Sequence, residues 1–250
     1  MLVGRGQSSA VLYNALAEAF PIGAVICEEK VGARVLLRRR MKRLGLGVVA
    51  GQLGFKAAVL PVVRCFSRRR ARQIIWENRL NTAAIPEDTI TPVVSVNSEP
   101  TIATLERLAP RVVVVNGTRI IDAKTLKCVD AVFINTHVGI TPLYRGVHGG
   151  YWALASDDAR HCGVTVHRVD TGIDTGSIIA QATIQPTRED TFATYPLLQM
   201  AAAIPLVKQA VCDALAGTLS YRPAPEGTSR LWSHPTAWQY IKTYVARGVR

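Results

Sequence analysis

The apolar residues of this chain fall into short β-branched runs separated by stretches of helical period. Leu2 and Val3 leave room only for the end of a strand. Gly4-Arg5-Gly6-Gln7-Ser8-Ser9 then turns into an amphipathic run, Ala10 to Phe20, whose start Ser8 or Ser9 can cap. Ile22 to Cys27 and Thr91 to Val96 read as strands, and Ser98 to Leu108 as a helix with its capping serine. Arg111 to Val115 sets four consecutive valines after the arginine, the continuous apolar run of a strand covered on both faces. Ala131 to Ile134 is another such run. Gly149 to Ala155 reads as a short helix, Gly163 to Val169 alternates as a strand, and Ile178 to Ile184 is a further strand. A helix runs from Phe192 to Leu215, started at Thr191 or Thr194, with Pro196 in its first turn, Pro205 at a kink and Gly217 at its end. Strands alternating with helices predict an α/β fold with a mostly parallel sheet flanked by helices.

One segment breaks the pattern. Between Arg34 and Arg79 stand thirteen basic residues and a single acid, Glu77, so this stretch holds the whole formal excess of +12. Its middle, Leu44 to Val63, is apolar enough to raise the question of a membrane span. Four glycines, Lys56 and Pro61 argue against one, since a central lysine alone costs about 2.5 to 3.5 kcal/mol on insertion. A single crossing would also put the first strand and the later strands on opposite sides of the bilayer. The reading that survives is a basic helical insertion, 34–79, either lying at an anionic membrane surface or packed on its own domain or on a second copy in a homodimer. The expected organisation is a catalytic domain, 1–217, containing that insertion, and a short C-terminal extension, 218–250.

Composition narrows the class. The 250 residues, 48% hydrophobic and 19% charged, suit one globular domain, and the five cysteines are scattered with no C-x-x-C pair, so neither a zinc site nor a disulfide framework is indicated. The N-terminus goes straight into a glycine-rich turn without the apolar run of a secretory signal, which points to a cytoplasmic protein, with peripheral attachment at the inner membrane face left open. The basic run lies among glycines and aliphatic residues with no RNA or DNA motif, so nucleic acid is not an expected partner.

The candidate chemistry lies where the run Ala131 to Ile134 delivers Asn135 and His137 to the carboxyl end of a strand, the end at which open parallel sheets place their ligands. An amide, an imidazole and the later Asp174 can donate hydrogen bonds to a developing oxyanion and move a proton near neutral pH. No metal is required for that. Asp170, four residues earlier, is the competing carboxylate. The Gly4-x-Gly6 turn with Ser8 and Ser9 could hold an anion at a helix start, or be a tight turn with no ligand.

The order N-x-H, Pro142, Y-R-G, then G-V-T-V-H and D-T-G resembles the folate-dependent formyltransferases, including the glycinamide ribonucleotide, methionyl-tRNA and amino-sugar enzymes. The likeness is strong from about Val112 to Ile184 and thin elsewhere. It implies a Rossmann-like fold and 10-formyltetrahydrofolate as co-substrate. By resemblance Asn135, His137 and Asp174 are catalytic, and Arg119, Ile120 and Ile121 in N-G-T-R-I-I, with Asp170, bind the donor. Gly4, Gly6, Ser8, Ser9 and Arg145 are expected at the acceptor. Gly139 departs from the family pattern, which has Ser there, and Ile140-Thr141 stand in place of Leu-Leu. Tyr144 and Trp152 are read as scaffold and His167 as pocket lining.

The implied reaction is attack of an acceptor amine on the formyl carbon. The Asn135 amide and a protonated His137 would hold the oxygen, and Asp174 would favour the charged ring and relay the amine proton. The tail lacks the length of the methionyl-tRNA enzymes' additional barrel. The expected acceptor is therefore a small molecule, with an amine on a nucleotide-linked sugar first and glycinamide ribonucleotide second. N-hydroxyornithine or a peptide precursor, hydrolysis of the donor, a nucleic-acid binder and a non-catalytic binding module are the other readings.

Overall fold

In the computed structural model, which describes residues 1–250, the chain runs β1 (Leu2–Gly4), α1 (Gln7–Ala17), β2 (Val25–Glu28), α2 (Ala33–Leu44), α3 (Leu46–Gly54), α4 (Leu60–Phe66), α5 (Arg68–Glu77), β3 (Ile90–Val93), α6 (Glu99–Leu108) and β4 (Val112–Asn116). It continues through α7 (Ala123–Lys127), β5 (Val132–His137), β6 (Tyr144–Gly146), α8 (Gly149–Ala155), β7 (Gly163–Arg168), β8 (Ile178–Thr183), α9 (Tyr195–Ala216), β9 (Arg230–Trp232) and α10 (Ala237–Arg247). Seven strands form one sheet in the order β3-β2-β1-β4-β5-β7-β8. The first five are mutually parallel, and β7 and β8 are antiparallel to their neighbours. The α/β expectation holds, with the parallel part ending at the strand that carries Asn135 and His137.

The sheet is covered on both sides because its central strands are apolar on both. Val114, Ile134, Val164 and Val166 pack with Leu12 of α1 and Met200, Ala203 and Val207 of α9, while Val113, Val115 and Phe133 pack with Ile26, Leu105 and Ile121 on the other face. Two helix starts differ from expectation. The N-cap of α1 is Gly6 and makes no side-chain cap bond, because Ser8 and Ser9 lie inside the helix. The N-cap of α9 is Thr194, whose hydroxyl accepts the Thr191 N–H at 2.8 Å and approaches Asp190 instead of capping the helix.

The insertion is helical throughout. A π-helical turn, Phe55–Val59, joins α3 to α4, so Leu46 to Phe66 is one 21-residue rod, long and apolar enough to cross a membrane by length and composition; the core helix α9 also meets that measure. The topology does not use the rod as a crossing. The insertion leaves from β2 and returns at β3, which pair in register from Val25↔Ile90 to Glu28↔Val93, with one apolar rod between them. Phe55 is 2% exposed and packs on Phe192 (4.9 Å between ring centres) and Tyr240 (5.1 Å). Arg70 Nε donates to the fully buried Asp190 carboxylate at 2.8 Å, and the Ser67 and Thr191 hydroxyls lie 2.7 Å apart. Cutting such an ion pair from one side leaves an uncompensated buried charge, a loss of about 3 to 5 kcal/mol. The insertion is thus packed against its own domain, with Leu46, Phe66 and Trp76 left exposed.

The C-terminal extension, 218–250, closes the fold. β9 pairs with β6 in parallel from Tyr144↔Arg230 to Gly146↔Trp232, and α10 starts with a reciprocal Thr236–Gln239 cap. Trp232 stacks on Trp152 at 4.6 Å and on Tyr144 at 6.0 Å. Tyr144 and Trp152 are scaffold, as read from the sequence. Together with Phe55, Tyr151, Phe192 and Tyr240 they form an aromatic core joining insertion, domain and tail.

Candidate active site

Strand pairing builds the centre of the site. β5 lies antiparallel to β7 with Asn135 opposite His167 and His137 opposite Thr165. The Asn135 amide donates from Nδ2 to His167 Nε2 at 3.0 Å, and His167 Nδ1 lies 2.8 Å from the Arg168 carbonyl. That carbonyl can only accept, so His167 carries a proton on Nδ1, and the Asn135 amide can only donate, so Nε2 is the acceptor in that contact. One amide hydrogen of Asn135 remains uncommitted.

His137 is held from two sides. Its Nε2 lies 2.7 Å from the Tyr144 carbonyl, which requires an N–H there, and its Nδ1 lies 3.3 Å from Asp174 Oδ2. The carbonyl can come so close because residue 139 is glycine: a Cβ there would stand 2.3 Å from the Tyr144 oxygen and 2.7 Å from His137 Nε2. The departure at Gly139 is therefore the feature that seats the ring against the Tyr144 turn. Asp174 has a left-handed backbone (φ 51°), and its Oδ2 accepts the Gly146 N–H at 2.9 Å. The opposite oxygen, Oδ1, lies 3.7 Å from His167 Nε2.

The electrostatics correct one expectation. Burial pulls the His137 pKa below its ordinary value, and the Asp174 charge and the Tyr144 carbonyl pull it back only in part. The Asp174 charge alone would favour a protonated ring, and the desolvation that opposes it is a property of the folded chain. The resting ring at neutral pH is uncharged, with its proton on Nε2 and the Nδ1 lone pair turned to the Asp174 carboxylate, which favours taking up a proton at that nitrogen. Burial pushes the Asp174 carboxyl up, but the His167 and His137 rings in their proton-bearing forms, with the Gly146 N–H, outweigh it and hold the group below the usual carboxylate range.

These residues open onto a cavity of about 440 Å³ walled by the loop Gly117 to Ile121, the end of β5, Gly146, Val147, His167 and the loop Asp170 to Asp174. Thr136 also lines it, and its hydroxyl oxygen is buried without a hydrogen-bond partner in the protein.

The formyl transferase family model matches residues 54–197, more than half of the chain, and includes every residue of this centre. The chain belongs to the formyl transferase family. Methionyl-tRNA formyltransferase of Pelotomaculum thermopropionicum is 37% identical over 93 residues, covering 37% of this chain and 29% of that protein. The enzyme of the same name from Burkholderia thailandensis is 32% identical over 124 residues, 47% of this chain and 38% of its own. The match thus spans less than two fifths of these relatives. Among solved structures, a sugar N-formyltransferase from a Shewanella species superposes with TM-score 0.55 at 15% identity over 91% of this chain and 74% of its own. Phosphoribosylglycinamide formyltransferase of Bacillus halodurans superposes with TM-score 0.50 at 19% identity over 83% and 90%. At such identities these two structures are likenesses of fold.

Within this formyl transferase fold the other expected residues divide. Ile120, half exposed, lines the cavity and gives its carbonyl to Asn97, while Ile121 is 2% exposed and belongs mainly to the core behind the wall. Arg119 also lines the cavity, but its guanidinium is committed elsewhere. Nη2 donates to the carbonyls of Glu29 (3.1 Å) and Val94 (2.6 Å), and Nε lies 3.0 Å from the buried Glu28 carboxylate. It braces the loop to β2 and β3, and the loop's backbone is what faces the cavity. Asp170 accepts from Gly172 N and Thr175 Oγ1, shaping the loop that presents Asp174.

The acceptor assignments fare worse. Gly4 faces Gly117, where a Cβ would meet the carbonyl oxygen at 2.2 Å, and Gly6 is extended with open space around it; neither lines the cavity. Ser9 is 2% exposed and takes a hydrogen bond from Asn116 Nδ2 at 3.0 Å. Only Ser8 of that turn reaches the cavity wall. Arg145 turns away and donates to the Ile173 carbonyl at 3.2 Å, fixing the Asp174 loop. Sequence reasoning missed Asn116, the Tyr144 carbonyl and the Gly146 N–H. The last two are backbone groups and leave no residue-type signal.

Proposed function

We propose that the chain transfers the formyl group of 10-formyltetrahydrofolate to the amine of a small phosphate-carried acceptor, an amino sugar, of which a sugar nucleotide is the soluble form. The observation that carries this reading is the convergence of Asn135, His137 and Asp174 on one cavity beside the Gly117–Ile121 loop, in a chain of the formyl transferase family. The cavity suits the donor: it has the volume of a small-molecule site, backbone edges along the loop, and a buried Thr136 hydroxyl with no protein partner. The backbone of Gly117 to Ile121 and the Asp170 loop would hold it. When bound, it supplies the electrophilic formyl carbon.

The protein's own groups do the rest. The uncommitted Asn135 N–H is placed to stabilise negative charge developing on the formyl oxygen. As the acceptor nitrogen bonds to the formyl carbon it must lose a proton, and the lone pair on His137 Nδ1 takes it, directly or through water. The imidazolium so formed lies against Asp174 and the Tyr144 carbonyl, both of which favour it. The proton then serves the nitrogen from which the formyl group departs. His137 works as a proton acceptor from its neutral form, which reverses the standing cation expected from the sequence.

The test is a panel of amines (nucleotide-linked amino sugars, glycinamide ribonucleotide, N-hydroxyornithine) incubated with purified protein and 10-formyltetrahydrofolate and read by mass. One amine should gain a formyl group and the donor should be consumed with it. A donor that stays intact against every amine would sink the reading; consumption without a formylated amine would make the protein a hydrolase. Glycinamide ribonucleotide is the second acceptor: in the Gly4–Ser9 turn Gly4 and Ser9 pack on Gly117 and Asn116, while Arg5 to Ser8 are exposed.

A further inference from the structure

A larger cavity of about 750 Å³ lies between the insertion and the domain. Its walls are largely aliphatic, with Leu37, Val49, Leu53, Leu60, Ile75 and Leu197 among them. Arg40, Lys56, Arg64 and Arg68 stand in the same walls, no Asp or Glu lines the space, and none of these four cations is in an ion pair. Four helical elements of the insertion thus bring unpaired positive charge to one apolar chamber. Gln52 adds a second observation: it is 5% exposed, its Nε2 is fixed on Ser233 and the His234 carbonyl, and its buried Oε1 accepts no hydrogen bond from the protein.

The wall chemistry also says what kind of molecule fits. A nucleobase asks for an open aromatic face; here Phe55 and Phe192 are 2% and 5% exposed and pack edge-on against each other, and the His148 ring is taken up by Phe192 and by its contact with His234. A hydrocarbon chain asks only for aliphatic surface, and a phosphate for clustered cations. The two cavities share Ser8 and Met200 as lining residues, so the larger one borders the wall of the smaller.

We propose that the larger cavity binds a lipid phosphate, with its hydrocarbon chain along the aliphatic walls, its phosphate among Arg40, Lys56, Arg64 and Arg68, and its amine-bearing head group directed past Ser8 and Met200. The acceptor's carrier is then a lipid and not a nucleotide. This rests on the formyl-transfer reading for the reaction, and on the cavity alone for the ligand. Leu36 and Leu53 are 40% and 50% exposed although they line the chamber, so its rim is open to a chain arriving from a bilayer.

Calorimetric titration of the intact chain with octyl, decyl and dodecyl phosphate, each below its micelle concentration, tests it. Affinity should rise with chain length, by up to about fourfold per added CH₂. Dodecyl maltoside, inorganic phosphate and UDP should bind at least tenfold more weakly than dodecyl phosphate. Arg40→Gln with Lys56→Gln should lose at least tenfold toward dodecyl phosphate, and Leu53→Glu should flatten the dependence on chain length, both with unchanged circular dichroism. Affinity independent of chain length, or equal affinity for the maltoside, would overturn the proposal. Formylation of a sugar nucleotide that dodecyl phosphate fails to inhibit would overturn the lipid carrier and leave the reaction standing. Binding as described with no amine formylated would support the cavity ligand and remove the formyl-transfer reading instead.

Discussion

At the scale of the residue, His137 decides what the site can do with a proton. Its Nε2 is tied to the Tyr144 carbonyl, its Nδ1 faces Asp174, and burial keeps the ring neutral. Because its pKa lies below the ordinary histidine value, kcat/KM should be level through pH 7 to 8 and fall only on an acid limb centred below about pH 6.5. Asp174→Asn removes the charge that partly restores the ring's basicity, so the limb should move to still lower pH while kcat drops. Activity that rises as pH falls through 6.5 would contradict a neutral, proton-accepting ring. The three side chains were legible in the sequence because N-x-H on one strand and D-T-G after the next are spacings of residue types. The ring's charge was not legible, because it depends on burial and on a carbonyl that only the turn through Gly139 brings close.

At the scale of the element, the informative contact is between α8, the insertion and the tail. His148 Nε2 and His234 Nδ1 lie 2.9 Å apart, and burial lowers the two pKa values to about 3 and about 4, with Arg40 and Lys56 also lowering that of His234. Phe192 packs on the His148 ring at 4.4 Å. Both rings bind protons more tightly in the unfolded chain than in the folded one, so the stability linked to them is complete above about pH 6.5 and is lost as pH falls below it. At pH 5 each ring withdraws about 2 kcal/mol. Denaturant unfolding at pH 7.5 and pH 5 should show a loss of up to about 4 kcal/mol from the two rings together, reduced in His148→Gln with His234→Gln; a pH-independent midpoint in the parent chain would exclude the linkage. This junction was hidden in the sequence. Its partners stand 86 positions apart, and the tail's proline-rich, aperiodic pattern gave no sign that Trp232 stacks on Trp152 or that Tyr240 seals the insertion. The helices, by contrast, could be read from their period, and β4 from its valines.

At the scale of the whole molecule, the sheet and the centre of the site were legible and the acceptor side was not. The parallel strands and the place of β5 follow from hydrophobic runs, and the excess charge was correctly confined to one insertion. Its role could not be read from composition, because Arg40, Lys56, Arg64 and Arg68 become one set only when α2, α4, α5 and the π turn close over the domain. In the glycine turn after β1, Gly4 serves close packing on Gly117 while Arg5 to Ser8 stay exposed. The central claim is that Asn135, His137 and Asp174 act on the reaction and not on donor binding. Its most direct test measures 10-formyltetrahydrofolate binding and formyl transfer side by side in the parent chain and in Asn135→Ala, His137→Ala and Asp174→Ala. Each variant should keep donor affinity within a few fold and lose about 100-fold or more in kcat, the usual scale for a transition-state donor or proton carrier. A variant with near-parental turnover, or one whose whole loss lies in donor affinity, would contradict the account.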